Sequence, residues 1–181
     1  MFRTRQKLDE AAFFLARVEE HAAETEKFLS DRNARNVFCY YLSAFVSAAR
    51  STAWIMRSEW CGCEGWQTWW KEQGIHAPKE LLKIFNDLRV RSEKTDPLQP
   101  AYLVRFEDDG GPPIKPHERL SKAKLTIAVE TSTSSRRVDG LTLTIDELEG
   151  EDLLENCRAY FQDLQRLVAA CEGQFGQPVT N

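Results

Sequence analysis

The chain has 181 residues, 24 of them Lys or Arg and 28 Asp or Glu, for a formal net charge of -4. That length fits one domain with a real core better than two, and 42% apolar with 29% charged residues is globular composition, not disorder. An acidic whole disfavours a general nucleic-acid coat while leaving room for a local basic pocket. No apolar run approaches the roughly 20 residues of a bilayer span.

Met1-Phe2-Arg3-Thr4-Arg5 starts basic but lacks the apolar core of a signal peptide. The expectation is a single cytoplasmic domain over residues 1–181 with no membrane partner. Five cysteines, an odd number without a secretory signal, point to reduced thiols.

Residues 5–29 predict a long helix, because Leu8, Ala11, Leu15, Val18, Ala22, Thr25 and Phe28 recur at spacings of three and four. Asp31-Arg32-Asn33 breaks the pattern, and Asp31 or Asn33 is placed to cap the next helix. Residues 34–58 predict that second, more apolar helix, with Val37, Phe38, Tyr41, Phe45, Ala48, Thr52, Ile55 and Met56 on its buried side. Ser43, Ser47 and Ser51 recur every four residues beside Ala44, Ala48 and Ala49, a small-residue face that lets another helix approach, from this chain or from a second copy. After the turn Trp60-Cys61-Gly62-Cys63-Glu64-Gly65, a short helix ending near Gly74 carries Trp66, Trp69 and Trp70. Tryptophan mostly contributes buried area, so the three are read as its anchor rather than as a ligand cage.

Pro78 opens a helix over 78–94 with Leu81, Leu82, Phe85 and Leu88 as its core stripe, and Pro97 and Pro100 close it. Residues 95–120 are rich in Pro and Gly, with Asp109-Gly110-Gly111-Pro112-Pro113 at their centre and a strand candidate at 102–106. Leu125, Ile127 and Val129, then Leu141, Leu143 and Ile145, alternate with other residues at the period of two that marks strands, and 132–137 joins them. Residues 151–173 predict the last helix, with Leu153, Leu154, Cys157, Phe161, Leu164, Leu167, Val168 and Cys171 as its stripe. Glu147, Glu149, Glu151 and Asp152 stand at its positive end, and Gly173 and Gly176 end it.

The expected fold is therefore mainly α: an antiparallel bundle of four long helices plus a short Trp-rich helix. A small antiparallel β-sheet, part of the 95–150 loop and hairpin insertion, precedes the last helix.

Two features invite chemistry. Cys61-x-Cys63 is a chelating pair, but no second Cys pair or His pair completes four ligands, and His76 and Cys39 are the nearest complements. The expectation is no metal, with Cys61 and Cys63 as its weak candidates, and no cofactor: a P-loop and a GxGxxG are both absent. Glu19-Glu20-His21 lacks the Glu-x-x-His spacing of a carboxylate-bridged di-metal bundle.

The other feature is Leu88-Arg89-Val90-Arg91-Ser92-Glu93-Lys94. With the run Phe38–Ser51 and the lead-in Phe85-Asn86-Asp87-Leu88-Arg89, this stretch resembles the HEPN superfamily, over roughly residues 5–95 and the last helix. The resemblance implies a small helical bundle, often dimeric, of toxin–antitoxin or defence systems, and many members are RNases. Their hallmark is an arginine, usually followed by a polar residue, with a histidine after four to six further positions. Here Val90 follows Arg89, and the histidine position falls on Lys94, Thr95 or Asp96.

A lysine near its ordinary pKa of about 10.4 is a poor general base, though it still attracts phosphate as a charge. The resemblance thus implies a binding protein without catalysis, in which Arg89, Arg91 and Lys94 contact RNA, nucleotide phosphate or a protein encoded nearby, in a homodimer. The alternatives are a metal-independent RNase with Arg89 as its catalytic residue, and a structural scaffold subunit. Cations at a helix C-terminus are also common for dipole reasons alone.

Overall fold

A computed structural model of the chain describes residues 2–73, 79–94, 98, 100–106, 138–145, 148 and 151–176. These residues are mainly helical. The elements are α1 (Arg3–Ala23), α2 (Thr25–Ser30), α3 (Arg32–Trp60), α4 (Trp66–Gln73), α5 (Lys79–Lys94), β1 (Ala101–Phe106), β2 (Val138–Thr144) and α6 (Leu153–Phe175).

The helix predicted over 5–29 is two helices. Glu24 leaves helical geometry at φ -85° and ψ 54° and separates α1 from α2. The bend lets Phe28 pack edge-on against Phe38 of α3, with ring centroids 5.3 Å apart. Arg35 donates to the Leu29 carbonyl at 3.1 Å, satisfying an end group that the short helix leaves open. Asp31 caps α3 as its position suggests, accepting from the Asn33 amide at 2.8 Å.

Helix α3 runs 29 residues and continues two residues past the predicted end. That extra half-turn carries Trp60 into full burial. The N-terminus of α1 lacks a side-chain cap of its own. Glu59 of α3 supplies one, accepting from the Arg3 amide at 3.0 Å, the Thr4 amide at 3.2 Å and the Thr4 hydroxyl at 2.6 Å.

Contacts along the helices set their directions. Phe2 meets Trp60, Thr4 meets Glu59, His21 stacks on Tyr41 and Phe28 meets Phe38, so α1–α2 and α3 run antiparallel. Arg5 pairs with Glu172 and Glu19 with Arg158, so α6 also runs antiparallel to α1. The C-terminal ends of α3 and α6 meet where the Trp60 indole donates to the Gly176 carbonyl at 3.2 Å. Gly176, at φ +65°, ends α6; Gly173, in ordinary helical space, does not. The two added residues carry Phe175 onto Trp66 and Trp69, at 5.7 and 5.4 Å between centroids, and this aromatic cluster holds α4 in place.

Helix α5 joins α3 and α6 through Phe85. Its ring lies 6.2 Å edge-on from Phe45 and 4.5 Å from Tyr160 in a near-parallel stack. Leu88 is likewise buried; the side chains of Leu81 and Leu82 lie outside the described ones. Strands β1 and β2 pair antiparallel from Ala101–Thr144 to Phe106–Val138, with an irregularity at Arg105. Leu143, Ile145, Leu148 and Leu98 are buried with the helical core. The predicted strand at 125–129, its connection at 132–137 and the Asp109–Pro113 centre lie outside the described residues. No helix among the described residues is long and apolar enough to cross a membrane.

Candidate functional site

Arg89, Arg91 and Lys94 all belong to α5. Two residues along a helix is a 200° turn, so Arg89 and Arg91 stand about 160° apart around the axis and do not share a face. Both are partly buried, and the side chain of Lys94 lies outside the described ones. The helix thus divides what is a cluster in the sequence.

Arg89 falls three residues after Asn86, on the same flank. That flank meets α3, where the Arg50 guanidinium donates from Nε to Asn86 Oδ1 at 3.4 Å. The same guanidinium lies over the ring of Trp54, 6.0 Å from its centroid. Trp54 and, further along α3, Tyr40 are exposed at 58% and 68%, and Val90 of α5 at 38%. Arg50, Asn86, Arg89 and Trp54 therefore form one surface region at the α3–α5 seam. The sequence reading missed Arg50, Trp54 and Tyr40. Their signal is present in the residues, since all three fall outside the apolar stripe of α3.

Beneath this seam lies Tyr160. Its hydroxyl is buried with no hydrogen-bond partner among the described residues. Burial pushes its pKa up to about 12, with the charge of Arg50 pulling the other way. The uncompensated hydroxyl is a cost that the stack on Phe85 offsets.

The outward face of α3 is unusual in charge. Residues 32–60 hold four arginines and one acid, Glu59, in a chain with 28 acidic residues. Glu59 is turned to the N-terminus of α1. What remains outward is Asn36, Tyr40, Arg57 and Ser58, all exposed, with Ser43, Ser47, Arg50 and Ser51 half-buried and Trp54 exposed between them. The serines that suggested a close helix approach lie on this outer side, whereas Ala48, Ala49 and Ala53 are buried.

The cysteines separate by environment. Cys157 and Cys171 are buried and Cys39 is half-buried. Burial raises all three thiols, Cys39 to about 11 and Cys171 to about 12, which leaves them protonated and unreactive near neutrality. Cys61 is exposed and Cys63 half-buried at the end of α3. Cys39 stands 22 residues earlier, roughly 33 Å away along the helix, too far to join them. His76 lies outside the described residues, as do Thr95 and Asp96. Among the described residues no group of three metal-binding side chains forms. His21 stacks on Tyr41, 5.2 Å between centroids, at the α1–α3 seam.

Compared with known proteins, the chain matches no family model, no curated protein and no solved structure.

Proposed function

We propose that this chain is a HEPN-like bundle of four long helices, with a short Trp-rich helix and a small sheet appended, that acts by binding. It holds the phosphate of RNA or of a nucleotide beside Arg89, in the setting of a toxin–antitoxin or defence system, and leaves the bond uncut. The observation that carries this reading is the placement of Arg89 on the flank of α5 that adjoins Arg50 and Asn86, next to a face of α3 without a free carboxylate. Two guanidiniums at one seam suit phosphate oxygens, which a planar fork of donors meets in pairs. No histidine stands at the motif position to take a proton from a 2′-hydroxyl, so the same seam supports binding better than cleavage.

The test is end-labelled total RNA and tRNA incubated with the native protein, with Arg89→Ala and with Lys94→His. The native protein is expected to retain RNA intact, with an affinity that falls as salt rises. Arg89→Ala is expected to weaken it and to lower the log–log salt slope by about one phosphate contact. Cleavage by the native protein that disappears in Arg89→Ala would replace this reading with that of an RNase. Failure to bind any RNA would leave a scaffold subunit.

A further inference from the structure

The outer face of α3 extends well beyond the seam at which Arg89 and Arg50 are proposed to hold phosphate. Two large aromatic rings, Tyr40 and Trp54, stand more than half exposed on it, although such side chains normally supply buried area. They are 14 residues apart, nearly four helical turns, and so project from one side of the helix at a separation of roughly 21 Å. Small hydroxyl side chains, Ser43, Ser47 and Ser51, fill the interval and leave the rings standing above a low, polar floor. Arg50 lies against one ring and Arg57 follows about two turns later. No described acid faces outward from α3, because its single carboxylate is held at the start of α1.

Single exposed aromatics are ordinary on protein surfaces. A pair of them in register on a cationic, carboxylate-free strip, within a chain of net charge -4, is not scatter. The charge chooses the occupant. A second copy laid on the same strip would set arginine against arginine, whereas a polyanion is matched along the whole length. The rings choose the form of polyanion: a duplex hides its base faces, and a single strand offers them for stacking.

We infer that the outer face of α3 is a stacking platform for single-stranded nucleic acid. Trp54 and Tyr40 carry bases, and Arg50 and Arg57 follow the backbone that continues from Arg89. This rests on the proposed binding at Arg89 and names its ligand as a strand rather than a mononucleotide. At the ~3.4 Å spacing of stacked nucleotides, the two rings span about six of them, within the range of known single-strand sites.

The experiment is fluorescence anisotropy of a 5′-labelled 12-nucleotide RNA of mixed sequence, alone and annealed to its complement, with the full chain and its Trp54→Ala, Tyr40→Ala and Arg89→Ala variants. Circular dichroism checks that each variant keeps its helix content, which exposed rings do not support. The single strand is expected to bind more tightly than the duplex, and Trp54→Ala to weaken the single strand roughly 5- to 100-fold while leaving the duplex unchanged. Binding that falls in Arg89→Ala but not in Trp54→Ala or Tyr40→Ala overturns the platform and leaves the Arg89 reading standing. Absence of RNA binding, with self-association that Trp54→Ala abolishes, overturns both and makes the strip a protein interface.

Discussion

Trp54 and Trp60 lie six residues apart on α3, and their fates are opposite. Trp60 is fully buried, donates its indole N–H to Gly176 and lies against Phe2. Trp54 is mostly exposed and touches only the guanidinium of Arg50 among the ring contacts described. Six residues turn a helix by about 600°, or 120° short of two full turns, enough to carry a side chain from the core to the surface. The same residue type therefore holds the fold together at one position and, at the other, stands open to solvent. The inner and outer faces of α3 differ in the same way. The inner one is Phe38, Leu42, Phe45, Ala49 and Met56, all buried. The outer one is serine, asparagine, arginine and two exposed rings.

The largest effect that tests this contrast is Trp60→Ala. It removes a fully buried ring and a hydrogen bond joining the ends of α3 and α6, and about 3–5 kcal/mol of unfolding free energy is expected to go with it, measured by denaturant titration. A loss below about 1 kcal/mol would mean that Trp60 is not the lock between the two helices.

A smaller effect is expected from Tyr160→Phe. The phenol is buried without a partner among the described residues, so removing its oxygen is expected to be neutral or to stabilise the chain by up to about 1 kcal/mol at pH 7. The pH dependence sharpens the point. Burial raises the folded pKa to about 12, so the unfolded chain loses this proton first. The stability tied to the neutral phenol is whole below about pH 10 and is lost as pH rises towards 12. Tyr160→Phe is expected to flatten the loss of stability across that window, while the buried thiols, raised by the same cause, keep their own alkaline slope. Unfolding curves at pH 8, 10 and 11 would show it, and an unchanged slope would mean that water reaches the hydroxyl.

The smallest effect is expected from Trp54→Ala, within about 0.5 kcal/mol of the native stability, as for surface changes away from packing or capping. A large loss of stability would place Trp54 in the core and dissolve the contrast.

Much of the architecture was legible in the residues. The stripe Leu8, Ala11, Leu15, Val18 and Ala22 is buried as its spacing implied, and Asp31 caps α3 where a cap was expected. Both depend on local geometry: helical period and a side chain two residues from its amide. The break at Glu24 was not legible, because nothing in Glu-Thr-Glu forbids a helix; what bends the chain there is the seat that Phe28 finds against Phe38. The candidate site was half legible. Arg89, Arg91 and Lys94 are neighbours in sequence, and the helical turn sets Arg89 and Arg91 on different sides of α5. What the sequence did not show is the seam itself: Arg50 of α3 and Asn86 of α5, one turn from Arg89, are 36 positions apart and meet through a hydrogen bond.

By itself, then, the sequence determined the helical periods, the caps, the apolar stripes and the uneven placement of charge, because each depends on residues within a turn or two of one another. The tertiary structure decided which tryptophan is buried, which helix end is capped by Glu59, and which residue of α5 the Arg50 guanidinium meets. Those outcomes depend on the direction and register in which α1, α3, α5 and α6 pack, and that packing is settled by surfaces brought together from distant parts of the chain.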